Sequence, residues 1–162
     1  MRPAEDIEGT LETYGPAVWR ICMLHLRNQA DAQDAYQETF LKYALADEKR
    51  FEGEEHRKAW LLRVASNTCK DMLKSAARRN VAFDEAKASD PPATDPLEQP
   101  ESGYREAIDA LRALDDPPRT PLYLSLVEGY PATEIARMLD APINTVYSWI
   151  SRGKKQLKEA LS

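Results

Sequence analysis

The chain has 162 residues, of which 43% are hydrophobic and 30% charged, with a formal net charge of −5 and a mean hydropathy of −0.60. That length holds one medium domain or two small ones, and no stretch approaches the roughly 18 to 20 apolar residues of a membrane span, so membrane insertion is not expected. The opening Met1-Arg2-Pro3-Ala4-Glu5-Asp6 is acidic where an export signal needs an apolar run, so the chain is expected to be cytoplasmic, with Cys22 and Cys69 reduced. With only two histidines and no CxxC pair, neither a metal site nor any other cofactor is expected.

Taken in order, Ile7, Leu11, Tyr14, Val18, Ile21, Cys22 and Leu26 recur at steps of three or four, the helical period. Gly15-Pro16 interrupts this first pattern and either starts a second helix or kinks the first. From Asp31 to about Ala46 a helix is predicted with Ala32, Ala35, Tyr36, Thr39, Phe40 and Tyr43 on one face. The charged stretch Asp47 to Glu55, containing Gly53, reads as a loop. A long helix is predicted from about Glu55 to Arg79, with Trp60, Leu61, Val64, Ala65, Thr68, Met72 and Leu73 on its apolar stripe. From about Phe83 to Ser102 come Pro91, Pro92, Pro96 and Pro100, several acids and almost no large apolar side chain, a composition that cannot offset its ordering entropy and reads as a linker.

The second block carries Tyr104 to Leu114, a break at Pro117-Pro118, and Thr120 to Glu128, where Thr120 can cap and Pro121 can occupy the first turn. A short helix from Thr133 to Leu139 and a last one from about Pro142 to Leu161 complete it. No strand-like alternation is present. The expected fold class is therefore all-α: two small helical domains, residues 1–82 and 104–162, joined by an acidic, Pro-rich linker at 83–103. Charge is segregated along this plan. Asp84 to Glu101 holds six acids against one lysine, whereas Ile143 to Ser162 holds Arg152, Lys154, Lys155 and Lys158 against Glu159 alone. The acidic total thus conceals a basic end suited to phosphates.

That end has the layout of a helix-turn-helix. Thr133-Glu134-Ile135-Ala136-Arg137-Met138-Leu139 supplies a first helix with Ile135, Ala136 and Leu139 inward; Asp140-Ala141-Pro142 turns the chain; Ile143, Val146 and Ile150 resume the apolar stripe. Asn144, Thr145, Tyr147, Ser148, Arg152 and Lys155 then face outward, with Trp149 at the stripe's edge. Hydrogen-bonding side chains near a helix N-terminus suit base edges in a major groove, and lysines and arginines further along suit phosphates. In isolation, a helical hairpin with a solvated basic face gives the same pattern.

Two further signatures set that motif in context. Asp31-Ala32-Gln33-Asp34-Ala35-Tyr36-Gln37-Glu38-Thr39-Phe40, and Ala59-Trp60-Leu61-Leu62-Arg63-Val64-Ala65-Ser66-Asn67 with Asp71, resemble region 2 of bacterial RNA polymerase sigma factors of the extracytoplasmic-function class. The second block resembles region 4 of that family in Val127-Glu128-Gly129, Glu134-Ile135-Ala136, Pro142, Thr145-Val146-Tyr147-Ser148 and Leu157. The similarity covers about residues 5 to 80 and 105 to 161.

The resemblance implies a sigma factor that binds RNA polymerase core and directs promoter-specific initiation. Asp34, Gln37, Glu38, Phe40 and Leu41 would dock on the β′ clamp helices, with Phe40 or Leu41 as apolar anchor and the acids meeting a basic partner. The loop from Asp47 to Arg57 and the helix after it would hold the displaced strand of the −10 element through Arg57, Lys58, Arg63, Asn67, Lys70, Lys74, Arg78 and Arg79. Asn67 and Asp71, four apart, fit equally as structural partners, and Trp60 belongs to the apolar stripe more than to a stacking platform. Asn144, Thr145, Tyr147, Ser148 and Arg152 would read the −35 duplex, Lys154, Lys155 and Lys158 would add phosphate contacts, and the β flap would hold region 4. The linker would thread near the RNA-exit path as a nucleic-acid mimic or act as a plain spacer, and an anti-sigma factor is the implied regulator. No nucleophile-base pair, Gly-rich phosphate loop or metal set points to an enzyme.

The chain departs from the family where Arg57 replaces an aromatic three positions before Trp60, where the basic run after Asp71 thins to Lys74, Arg78 and Arg79, and where Ser125 and Trp149 replace basic residues. These changes, with the low pI, suit one rival, a sigma-like decoy that binds an anti-sigma factor without promoter activity; a second rival is a helix-turn-helix repressor, against which the region 2 signature counts. The same changes also predict weak DNA binding in the absence of core enzyme.

Overall fold

Ala4–His25 forms the first helix, α1, and it runs unbroken through Gly15-Pro16. Pro16 removes one backbone donor, yet Ala17, Val18, Ile21, Cys22 and Leu24 beyond it are all buried and hold the helix in register. No second helix starts at this dipeptide. Gly15 has a different use: a Cβ there would lie 2.7 Å from the Tyr36 hydroxyl, so glycine is what lets Tyr36 seat against α1. In this computed structural model the backbone is described for residues 1–78 and 102–161, and side chains for 1–78 and 106–161. The bulk of the expected linker, and Arg79, lie outside the described residues.

α2 spans Gln29–Leu45, two residues earlier than the periodicity predicts, because Asn28 caps it: Asn28 Oδ1 accepts the Ala30 and Asp31 amides at 2.8 and 3.2 Å. Its predicted face is buried as expected, with Tyr36 only half-buried. α3 spans Glu54–Arg78. Here Leu61 and Ala65 are buried, but Trp60, Val64, Met72 and Leu73 are half-buried while Leu62, Ser66 and Cys69 go deeper. α3 packs against both α1 and α2, so its buried stripe is broader than, and rotated from, the one a single neighbour requires. Each fully buried leucine contributes about 2 kcal/mol.

Cys22 of α1 and Cys69 of α3, distant in sequence, meet in this core; both are free and fully buried. The thiol–thiol hydrogen bond to Cys69, and then burial, push the Cys22 thiol far above its ordinary range. A buried, protonated thiol is chemically inert, in keeping with a packing role.

The second compact unit contains α4 (Ser102–Arg112), α5 (Arg119–Leu126), α6 (Ala132–Leu139) and α7 (Ile143–Leu161). α4 starts at Ser102, so it takes in the last two residues of the expected linker. Ile108, Leu111, Leu114, Leu122, Tyr123, Leu124, Tyr130, Ile135, Met138 and Val146 belong to the buried core of the unit. Thr120 does not cap α5. It lies inside the first turn, and Asp116 supplies the acceptor: its carboxylate takes the Thr120 amide at 3.0 Å and the Thr120 hydroxyl at 2.7 Å. A carboxylate at that end also matches the positive pole of the helix. Gly129, at φ 80°, makes the left-handed turn between α5 and α6.

Candidate nucleic-acid and polymerase interfaces

α6 and α7 form the helix-turn-helix. The Ala141 amide bonds to Ala136 O at 3.0 Å and the Asp140 amide to Arg137 O at 3.4 Å, closing α6 in a Schellman turn with Asp140 left-handed at φ 51°. Ile135 is inward as expected, but its deep partner is Met138, while Ala136 and Leu139 are only half-buried. Val146 is the buried contact of α7, and Ile143 and Ile150 flank it half-exposed. One residue that the sequence reading passed over fixes this helix: Gly153 is buried, and a Cβ there would sit 3.1 Å from Leu122 and 3.3 Å from Pro118. The close crossing of α7 over α5 therefore depends on it. A glycine in an otherwise unbroken helical pattern was the available signal.

The opposite side of α7 is exposed. Asn144, Tyr147, Ser148, Arg152, Lys154, Lys155 and Lys158 are all open to solvent, with Tyr147 at 55% exposure and Thr145 half-buried. Hydrogen-bonding groups thus occupy the first two turns and cations the later ones, the order a groove-reading helix requires.

In the first unit the predicted −10 set separates into two groups. Arg63, Asn67, Lys74 and Arg78 are exposed on α3 and Lys70 is half-buried, all at steps of three or four along one face. Lys58 is half-buried at the start of the helix. Asn67 and Asp71 are both exposed, so neither belongs to the core. Arg57 is different. Its guanidinium donates to Asp6 at 3.2 Å and to the Tyr43 hydroxyl, pairs with Glu54 at 3.5 Å, and lies 5.2 Å from the centre of the Phe51 ring. It ties α1, α2 and α3 together, and its cation is already engaged. Arg57 is therefore corrected from free cation to structural hub; the aromatic position it fills is packed against Phe51, which explains why a planar cation fits there. Two exposed cations that the sequence reading left out, Lys49 and Arg50, stand in the adjoining loop.

Asp6 is the anionic centre of this hub. Burial raises its pKa, but hydrogen bonds from Tyr43 and Arg2 and the charges of Arg2 and Arg57 outweigh it and hold the carboxyl below its ordinary range. Trp60 is half-buried in the same cluster, 6.1 Å from Tyr43 and 5.7 Å from Phe51, consistent with its place on the apolar stripe.

On α2, Asp34, Gln37, Glu38 and Leu41 are exposed and fall on one face, with Leu41 at 50% and Leu45 at 61% exposure. Phe40 is not part of it. At 5% exposure it packs into the core with its ring 5.0 Å from Tyr36, so of the two apolar anchors expected, only Leu41 is available on the surface, extended one turn by Leu45. Among the described residues no group of three or more His, Cys, Asp or Glu side chains could hold a metal ion, and no helix is long and apolar enough to cross a membrane.

Comparison with known proteins agrees with this geometry. The family model of Sigma-70 region 2 matches residues 10–79, and that of Sigma-70 region 4 matches residues 104–157. The chain is 32% identical over 155 residues to the ECF RNA polymerase sigma factor SigE of Mycolicibacterium smegmatis, covering 90% of this chain and 57% of that one. It is 32% identical over 142 residues to the RNA polymerase sigma-H factor of Pseudomonas aeruginosa, covering 81% and 73% respectively. It thus spans little more than half of the first relative and almost three quarters of the second. Among solved structures, the sigma factor RpoE of Bartonella quintana, crystallised with the anti-sigma factor NepR, shares the fold at a TM-score of 0.77 and 22% identity over 98% of both chains. With both regions present in order, and a relative of this identity and coverage, the chain belongs to the sigma-70 family of RNA polymerase sigma factors, in its extracytoplasmic-function class.

Proposed function

We propose that this chain directs promoter-specific transcription initiation by RNA polymerase in the cytoplasm, with residues 1–82 and 104–162 as its two working domains. The observation that carries the reading is the presence, in one chain and in family order, of region 2 and region 4, each corresponding to a helical unit with an exposed face of fitting chemistry. The α2 face with Asp34, Gln37, Glu38 and Leu41 docks on the polymerase β′ clamp helices, where an apolar anchor ringed by acids meets a basic coiled coil. The α3 stripe of Arg63, Asn67, Lys70, Lys74 and Arg78, with Lys58 at the start of the helix, follows the displaced −10 strand, and Arg79, next in sequence, is assigned to the same role. Asn144, Thr145, Tyr147, Ser148 and Arg152 read the −35 duplex from α7, while Lys154, Lys155 and Lys158 hold phosphates and the β flap supports the domain. Sigma factors as a family are not enzymes, and the role asked of this chain is recognition. An anti-sigma factor is the expected regulator, since the solved relative RpoE is bound to one.

The test is reconstitution with RNA polymerase core. The complex is expected to form at a defined stoichiometry and to initiate from a specific promoter mapped by promoter occupancy in cells. A chain that captures a sigma antagonist but neither binds core nor initiates is a decoy. One that gives a salt-sensitive footprint on duplex without core is a repressor.

A further inference from the structure

The loop at residues 46–53, between α2 and α3, is held by Arg2. The Arg2 side chain is only 8% exposed. Its Nε donates to Tyr43 O at 3.0 Å, and its Nη2 to Ala46 O at 2.8 Å and to Lys49 O at 2.7 Å, while Nη1 pairs with Asp6 at 3.3 Å. A planar fork of fixed donors can satisfy several acceptors at once in a way a lysine cannot. Here it satisfies carbonyls at the negative end of α2 and, in the same gesture, a carbonyl inside the loop. The guanidinium also lies 5.2 Å from the Phe51 ring, which itself stacks on Tyr43 at 6.1 Å. The loop is therefore held by Arg2 at two points, the Lys49 carbonyl and the Phe51 ring, and this stretch presents the exposed side chains of Lys49 and Arg50.

Nothing in the sequence pattern marks Arg2: it precedes the first helical period and sits far from every motif. Yet it makes three hydrogen bonds to the end of α2 and the loop that leads into α3. We propose that Arg2 is a positioning residue for promoter opening, clamping the 46–53 loop so that Lys49 and Arg50 meet the displaced −10 strand in one fixed geometry. This inference rests on the sigma-factor reading above. Positioning of charge near a backbone matters because small displacements of a contact group cost a large part of its interaction.

The experiment uses the full chain with RNA polymerase core on a promoter library randomised separately over the −10 and −35 windows. The wild type is expected to select a defined sequence in both. Arg2→Gln should keep its affinity for core and its −35 preference but lose roughly tenfold of its −10 preference, the scale of a lost charge-assisted hydrogen-bond set. Arg2→Lys should recover only part of the loss, because it restores charge without the fork, and Phe51→Leu should reproduce the selective defect by removing the second pin. Unchanged −10 selection in Arg2→Gln overturns the proposal. So does an equal fall in core affinity and in both preferences, which would make Arg2 a residue of the fold alone. A wild-type chain that binds no core and selects nothing in either window overturns the sigma reading itself, and is distinguished by involving no variant at all.

Discussion

The cation at the start of α3 and the cations along α7 are handled in opposite ways, Arg57 enclosed at 22% exposure and Arg152, Lys154, Lys155 and Lys158 open to solvent. In the α1–α3 unit, long helices lie against one another over most of their length, and a cation near a helix start meets carboxylates and rings from its neighbours. Arg57 is engaged by Asp6, Glu54 and Tyr43, and Arg2 by Asp6 and three carbonyls, so both cations are already partnered within the unit. In the α4–α7 unit, α5 and α6 are only 8 residues long, a single buried side of α7 faces them, and the cations on its other side remain exposed. The lesson is that helical period is enough to assign an outward cation where one face is covered. It is not enough where a helix end is enclosed by two partners.

The largest effect that would break this contrast concerns Arg57. Arg57→Ala should destabilise the first unit by about 2 kcal/mol, because Asp6 and the Tyr43 hydroxyl lose a charged partner. Arg63→Ala, on the exposed stripe, should stay within about 0.5 kcal/mol in stability and weaken DNA binding instead. Denaturant unfolding of the two variants, followed by a near-ultraviolet signal, separates them; equal losses would erase the distinction between the two arginines. On the second unit, Arg152→Ala should leave folding intact and reduce −35 discrimination by about 1.4 kcal/mol, or tenfold, in binding of the core complex to duplex promoter.

Gly153→Ala is the next step down. Helix propensity favours the alanine by about 1 kcal/mol, but a methyl 3.1 Å from Leu122 imposes an overpacking cost of about 1 to 3 kcal/mol. The net expectation is a loss of about 1 kcal/mol, read as a lower denaturant midpoint. A gain would mean that the α5–α7 crossing has slack. The acid limb of stability tests the hub. Asp6 titrates lower in the folded chain than in the unfolded one, so its contribution is present above pH 4 and is lost as the pH falls through the folded value. The stability slope below about pH 4 should therefore flatten in Asp6→Asn. The smallest effect is expected at the turn: Asp140 holds φ 51°, and Asp140→Gly should raise stability by about 0.5 kcal/mol, since glycine relieves the left-handed strain but adds chain entropy.

Much of the fold was legible because each helix reports its own period. The α2 face from Ala32 to Tyr43 and the exposed side of α7 follow directly from steps of three and four. The errors have local causes. The start of α2 was misplaced because Asn28 acts through a side-chain hydrogen bond to the backbone, which hydrophobic spacing does not register. Asp116 was missed for the same reason, since Thr120 offered the more familiar capping residue. Helical period puts Phe40 on the inward face, where it lies at 5% exposure; only its place in the motif with Asp34, Gln37 and Glu38 suggests a docking anchor.

Sequence by itself determined the helical content, the division into two blocks, the helix-turn-helix and the family, because these rest on periodicity and motif spacing, which are properties of neighbouring residues. Tertiary structure alone decided which polar residues are free to act. Arg2 and Arg57, the meeting of Cys22 with Cys69, and the Gly15 and Gly153 crossings all depend on groups brought together from distant positions, and burial and charge partnering exist only once those positions meet. The path of the 46–53 loop is the sharpest case: a carbonyl at Lys49 is fixed by an arginine 47 positions away, and no local pattern encodes that bond.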